Sequence, residues 1–307
     1  MKNTKTGFIA IIGRPNVGKS SLLNYIVGQK VSIVSDKPQT TRTRIMGVFT
    51  QAESQIVYID TPGFHKPRNV LGEKMIKAVS NGLCDVDAVM LVVDATAVLK
   101  PAADIVPPAE QQLLKAVSNR KLKAILAINK IDLLKEKSEL LHIISCYTRQ
   151  FDFEAVVPVS AATGDGVAEL VAEQLKFCKD SPHFFSDGVV TDQPESIMVA
   201  ELIREKLLHS LDKEIPHGIA IDIERFYERD NANGQPVLEV SAVIYCEKES
   251  HKGIIIGKRG MMLKQVGSEA RKDIEEFFGC KTNLQLWVKV KENWRKSQGL
   301  VHTFGLD

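Results

Sequence analysis

The stretch that most constrains this chain is Phe8-Ile-Ala-Ile-Ile-Gly13-Arg14-Pro15-Asn16-Val17-Gly18-Lys19-Ser20, followed at once by Ser21-Leu-Leu-Asn-Tyr-Ile. It reads as a short buried strand, a turn framed by two glycines, and a helix. G-x-x-x-x-G-K-S in that setting is a phosphate-binding loop. Gly13 and Gly18 let the backbone turn tightly enough for successive N–H groups to point at phosphate oxygens, and the helix start adds its positive dipole end. Gly13 through Ser21 are therefore expected to cradle a nucleotide, with Lys19 reaching its β- and γ-phosphates and Ser20 a magnesium ion.

The rest of the first half supplies partners for such a loop. Val31-Ser-Ile-Val-Ser-Asp-Lys-Pro-Gln-Thr40-Thr41-Arg42 is too irregular in period for one regular element and reads as a mobile loop. In a nucleotide switch, a threonine of such a loop binds magnesium through its hydroxyl and the γ-phosphate through its N–H. Thr41 is the favoured candidate and Thr40 the alternative. Two strand-like runs follow, Ile45 to Thr50 and Gln55 to Ile59, the second ending in Asp60-Thr61-Pro62-Gly63. A carboxylate at the end of a buried strand is costly unless paired. Magnesium at Asp60, with the Gly63 N–H turned to the γ-phosphate, would meet that cost. Lys19, Thr41 and Gly63 are thus the catalytic candidates, and Ser20, Thr41 and Asp60 the metal ligands.

Asp87 to Asp94 and Lys123 to Asn129 read as fully buried strands of a parallel sheet. Between them lie a Pro- and Ala-rich connection from Lys100 to Pro108 and a helix from Ala109 to about Ser118. The second of these strands runs into Asn129-Lys130-Ile-Asp132, at the end where open α/β sheets bind ligands. Guanine offers two adjacent donors, N1–H and the 2-amino group, that one carboxylate at Asp132 can accept together. Adenine lacks the pair, a penalty of roughly 1–3 kcal/mol or more. Asn129 and the Lys130 stem should brace this loop. A sixth strand ends in Ser160-Ala161-Ala162, whose loop could aim the Ala161 N–H at guanine O6. Strands alternating with helices imply a doubly wound, mostly parallel α/β sheet, closed by a helix from about Val167 to Phe177.

Composition bounds the rest. The chain has 307 residues, 44% hydrophobic and 25% charged, which suits two globular domains. The boundaries read as 1–179, a linker over 180–195, and 196–307. Net charge is only +2, so any basic surface must be local. Five cysteines without a C-x-x-C pair suggest reduced thiols rather than disulfides or zinc, and no signal segment or membrane span is visible.

Asp192 and Glu195 with Pro194 suggest a helix start in the second half, and Ile197, Ala200, Ile203, Leu207 and Leu211 then mark one apolar face. Strands over about 218–229 and 237–247 are separated by an Asn-Gly turn. Next comes Gly253-Ile-Ile-Ile256-Gly257-Lys258-Arg259-Gly260-Met-Met-Leu-Lys264, opening a long helix through Phe278, and a last strand from Leu284 to Val290. G-x-x-G after an isoleucine run matches the KH loop, where backbone clamps a single-stranded sugar-phosphate chain. Residues 196–307 hold 17 Lys+Arg and 17 Asp+Glu, yet between Lys252 and Lys272 there are six basic residues against Glu269 alone. The basic face is local, as an RNA site requires. Ile256, Gly257, Lys258, Arg259, Gly260, Lys264 and Arg271 are the candidate RNA contacts, on a type II KH order.

The ordered set of phosphate loop, threonine loop, D-T-P-G, N-K-x-D and S-A-A resembles the translation-factor-like GTPases. With a C-terminal KH domain, and the wordings Gln39-Thr-Thr-Arg42, Glu224-Arg-Phe226, Ile256-Gly-Lys-Arg-Gly260 and Leu286-Trp-Val-Lys-Val-Lys291, the whole chain resembles the Era family. That resemblance implies a P-loop GTPase domain followed by an α+β type II KH domain, using GTP or GDP and magnesium. It also implies a bacterial assembly factor, cytoplasmic with peripheral contact to the inner membrane face, that binds small-subunit ribosomal RNA near its 3′ end. A monomer is the default. Phe64 stands where many relatives carry a water-orienting Gln, and resembles the subgroup with slow intrinsic turnover, in which an Asn at the place of Asn16 helps hold potassium. The rival expectation is an RNA-binding module whose nucleotide domain senses without functional turnover.

Overall fold

A computed structural model describes residues 4–37, 40–62, 85–97, 106–212 and 214–304. Gly63, Phe64, Cys84, Pro38, Gln39, most of the Pro-rich connection and residues 305–307 lie outside them. The described residues fall into two compact units. The first holds residues up to Val34 and from Thr41 to Asp192; the second begins at Gln193 and takes in residues 35–37 and 40.

The first unit runs β1 (Lys5–Ile12), α1 (Lys19–Val27), β2 (Ile45–Gln51), β3 (Ser54–Asp60), β4 (Ala88–Asp94), α2 (Pro108–Asn119), β5 (Ala124–Asn129), α3 (Lys137–Thr148), β6 (Ala155–Pro158), α4 (Val167–Leu175) and β7 (Lys179–Asp180). The sheet order is β2-β3-β1-β4-β5-β6. β2 runs antiparallel to β3, and the neighbours from β3 to β6 are parallel. Successive side chains of a strand point to opposite faces, and β1 and β4 use both. Ala10, Ile12, Leu91 and Val93 pack with Leu113 and Leu114 of α2 and Tyr147 of α3. Ile9, Ile11, Met90 and Val92 pack with Leu22 and Leu23 of α1 and Leu170 of α4. Apolar residues on both faces are what make these strands read as continuous hydrophobic runs. The parallel strands β1, β3, β4 and β5 consequently end at one edge of the sheet, at Ile12, Asp60, Asp94 and Asn129.

Much of the stretch expected as a linker is packed on this unit. Buried Gln55 accepts from the N–H groups of Phe184 and Phe185 at 2.9 and 3.0 Å, and the Val48 N–H donates to the Val190 carbonyl at 2.8 Å. Asp192, expected to start the next helix, instead accepts the Met46 N–H at 2.9 Å.

The second unit runs α5 (Glu195–Ser210), β8 (Ala220–Asp230), β9 (Pro236–Cys246), α6 (Glu249–Ile256), α7 (Met261–Phe278), β10 (Lys281–Val290) and α8 (Gln298–Thr303). Its sheet order is β10-β9-β8, with β8 antiparallel and β10 parallel to β9. This is the type II KH arrangement. The Asn-Gly turn forms as expected, with Asn231 Oδ1 accepting the N–H groups of Asn233 and Gln235. α5 departs from the single apolar face read from its periodicity, because Met198, Leu202, Leu208 and even Arg204 and Glu205 are also buried. Its charges are held in pairs: Arg204 Nε donates to Glu201 at 2.8 Å, and Lys206 bridges Glu205 and Asp273.

Candidate nucleotide site and nucleic-acid groove

The loop from β1 to α1 needs its glycines for space as well as conformation. Gly13, at φ 154°, would place a Cβ 2.4 Å from the Val92 carbonyl oxygen, and Gly18, at φ 95°, would place one 2.2 Å from Asn129 Nδ2. Lys19 opens α1 and is buried. Its ammonium donates to the carbonyls of Gly13 at 3.1 Å and Arg14 at 2.9 Å. Burial lowers its pKa to about 8, with Asp60 opposing the shift. The Arg14 side chain turns away from the loop to Glu110, Pro15 is half-buried, Val17 is in the core, and Asn16 is exposed at φ 65°. Ser21 lies in the first turn of α1.

Ser20, Thr41 and Asp60 come together. Ser20 Oγ donates to Asp60 Oδ2 at 2.9 Å and lies 3.2 Å from Thr41 Oγ1. Thr40 turns elsewhere, its hydroxyl donating to the Lys37 carbonyl. Asp60 is fully buried and burial pushes its carboxyl up, with Lys19, Ser20 and Ser32 pulling the other way. Its Oδ1 has no hydrogen-bond partner among the described residues. A buried acceptor left unmade is costly, and a hard cation beside two hydroxyls would satisfy it, so this donor set fits magnesium, which takes few protein ligands and completes its shell with phosphate and water. Thr61 Oγ1 donates to the Ile11 carbonyl at 2.8 Å, tying β3 to β1, and Pro62 is buried next to it. Gly63 lies outside the described residues.

At the other end, Asn129 closes β5. Its Nδ2 donates to the Val17 carbonyl at 2.8 Å and its Oδ1 accepts the Ala161 N–H at 3.0 Å, so it ties the phosphate loop to the Ser160-Ala161-Ala162 loop. The Ala161 N–H, expected to face guanine O6, here donates to Asn129, the two loops being packed side by side. Lys130, at φ 67°, reaches back to the Asn16 carbonyl at 2.9 Å. Asp132 is exposed, and Ser160 Oγ donates to its Oδ1 at 2.6 Å. Ala162 is exposed beside it.

Three positioning residues escaped the motif reading. Asp94, ending β4, accepts Lys130 Nζ at 2.6 Å. Burial acts to raise this carboxyl, and hydrogen bonds from Lys130 and Thr96 outweigh it, leaving it below its ordinary value. Buried Ser32 donates to Asp60 Oδ2 at 3.1 Å, and Asn24 of α1 holds Ser32 by accepting the Val31 and Ser32 N–H groups and donating to the Ser32 carbonyl. The strand-end carboxylate of Asp94 was a visible signal; Ser32 and Asn24 carried none.

In the second unit, α6 ends at Ile256, and Gly257, Lys258, Arg259 and Gly260 turn the chain into α7. Gly257 (φ 71°, ψ 177°), Arg259 (φ 51°) and Gly260 (φ 76°) all have positive φ. Beside the turn lies a cleft of about 350 Å³ lined by Gly260, Leu263, Lys264, Arg271, Leu284 and Leu286, among others. α7 buries Val266, Ala270 and Ile274 against the sheet. Lys258, Arg259, Lys264 and Arg271 are exposed, Ile256 is half-buried, and Ile254 and Met261 stand exposed on either side of the turn. The arrangement offers a backbone clamp, an apolar floor and a positive rim, which suits single-stranded nucleic acid. Leu284 and Leu286 were missed as lining residues, although their alternation in β10 is legible.

Comparison with known proteins agrees with both halves. A family model described as 50S ribosome-binding GTPase matches residues 8–130, and one described as KH domain matches residues 214–295. The chain is 48% identical over 301 residues to GTPase Era of Clostridioides difficile (strain 630), covering 98% of each. Among solved structures it is similar to a variant of Aquifex aeolicus Era bound to GDP and AlF4, with TM-score 0.91, 35% identity and 99% of each chain covered. It is equally similar, at TM-score 0.91 and 34% identity over 99% of each chain, to Era in complex with MgGDPNP and nucleotides 1506–1542 of 16S ribosomal RNA.

Proposed function

Because this chain belongs to the GTPase Era family, we propose that it is a GTP-hydrolysing switch that binds single-stranded small-subunit ribosomal RNA near its 3′ end and assists small-subunit assembly. The observation that carries the reading is the meeting of Ser20, Thr41 and Asp60 beside a phosphate loop, in one chain with a G-x-x-G turn at a basic cleft. The nucleotide domain is assigned to 1–179, the linker to 180–195 and the RNA domain to 196–307.

In this reading, backbone N–H groups from Gly13 to Ser21 hold the phosphates, and the Lys19 ammonium leaves the Gly13 and Arg14 carbonyls for the β- and γ-oxygens. Ser20, Thr41 and Asp60 would hold magnesium, which when bound neutralises charge on those phosphates. Asp132, fixed by Ser160, accepts the two donors of guanine, and Asn129 and Lys130 keep the base loop and phosphate loop in register. Gly63 supplies a further N–H to the γ-phosphate, and Phe64 in place of a water-orienting side chain makes turnover slow. Asn16 is the residue assigned to a potassium ion; turnover that ignores replacement of potassium by sodium at constant ionic strength would remove that assignment. The RNA backbone is clamped by Gly257 and Gly260, with Lys258, Arg259, Lys264 and Arg271 on its phosphates and Ile256 beneath its bases.

No helix of the described residues is long and apolar enough to cross a membrane. The protein is assigned to the cytoplasm as a monomer, with contact to the inner membrane face peripheral. The test is binding of a single-stranded RNA from the 3′ end of small-subunit ribosomal RNA at fixed salt, with a slowly hydrolysed GTP analogue, with GDP and with no nucleotide. Tighter binding with the analogue is expected. Equal binding in all three states would overturn the switch.

A further inference from the structure

Glu110 is the one acidic residue of the first turn of α2, is fully buried, and belongs to none of the nucleotide motifs. Both its carboxylate oxygens are held. Arg14 Nε donates to Oε1 at 2.6 Å, and the buried Tyr147 hydroxyl of α3 donates to Oε2. Burial, then the Glu110 charge, push the Tyr147 phenol well above its ordinary pKa, so it is a donor at every physiological pH. Arg14 is the second residue of the phosphate loop and is held at both ends: its guanidinium by Glu110, its carbonyl by Lys19 Nζ at 2.9 Å.

A fully buried carboxylate is a poor way to gain stability, since its desolvation consumes most of what the ion pair returns, and packed apolar side chains in its place are often as stable. What the pair does provide is one defined geometry. A guanidinium donates along fixed directions, and a carboxylate held from its other side cannot swing to follow it. We infer that Glu110 and Tyr147 are positioning residues for nucleotide binding: they hold Arg14, and through it the Gly13–Pro15 backbone that receives the phosphates, against the helices α2 and α3. The device deepens the nucleotide reading above and rests on it. It also assigns the Arg14 side chain to shaping the loop, leaving the Lys19 ammonium as the loop's cation for the phosphates.

The experiment uses the full chain and a fluorescent GDP, reading affinity and release rate, with steady-state GTP turnover alongside. Wild type must bind GDP; if it does not, the nucleotide reading itself falls. Glu110→Gln keeps size and removes the charge, and is expected to speed GDP release and raise KM for GTP about tenfold, with kcat changed less than about twofold. Because either single substitution can leave an unpaired buried charge, the double variant Arg14→Met/Glu110→Gln removes both. It is expected to show about the same tenfold loss as Glu110→Gln alone, since both changes break one pair. Tyr147→Phe is expected to lose less, in the same direction. Leu113→Ala, a cavity in the same helix, is expected to lower thermal stability without changing GDP release. If the double variant binds and releases GDP as wild type does, or if Leu113→Ala reproduces the release defect, the pair is structural only and the inference is overturned.

Discussion

Asp132 shows how a side chain can be exposed and still pre-set. Its carboxylate is held by Ser160, whose own Oγ accepts the Thr163 N–H at 3.2 Å, so the loop after β6 decides where the proposed guanine acceptor points. Removing that hydroxyl leaves the charge but frees its rotamer. Ser160→Ala is therefore expected to weaken GDP binding by about fivefold to tenfold, near the worth of one ordinary hydrogen bond. Asp132→Asn replaces one of the two acceptor oxygens by a donor facing guanine's donors, and should cost roughly 3 kcal/mol or more and erase the preference for GDP over ADP. Competition binding of GDP and ADP reads both. An Asp132→Asn protein that still prefers GDP would mean the base is recognised elsewhere.

At the scale of elements, the turn between α6 and α7 separates two uses of glycine. Gly257 sits in a backbone region nearly reserved for glycine, and an added Cβ would lie 2.7 Å from Met262 Cβ. Gly260 is left-handed too, yet nothing stands within 4 Å of an added Cβ. Gly257→Ala should thus destabilise the second unit by roughly 1–3 kcal/mol. Gly260→Asp should cost only about 1 kcal/mol while placing a negative charge at the clamp. Denaturant unfolding and RNA titration together test this: Gly260→Asp is expected to fold and to lose RNA binding. A folded Gly260→Asp that binds RNA as tightly as wild type would exclude the turn as the clamp.

At the scale of the molecule the chain forms two units, and the second packs its last described segment around Trp294. Trp294 is fully buried, its Nε1 donates to the Gly218 carbonyl at 2.9 Å, and Phe304 packs on both Trp294 and Tyr245. Trp294→Ala should cost the second unit roughly 3–5 kcal/mol, with GDP affinity unchanged; a matching loss of GDP binding would show that the nucleotide site depends on that core. Five motifs and the doubly wound sheet were legible in the sequence because each is local: a phosphate loop, a buried strand or a G-x-x-G turn is written within about a dozen residues and carries its own backbone requirement. The sequence by itself thus determined the two folds and the GTPase class. Only the tertiary structure decided that Thr41 rather than Thr40 stands beside Ser20, that the Ala161 N–H is taken by Asn129, and that Glu110 and Tyr147 hold Arg14. Those pairings join residues far apart in the chain, and no local pattern records them, since they exist only once α2, α3 and the strand ends are packed along one sheet.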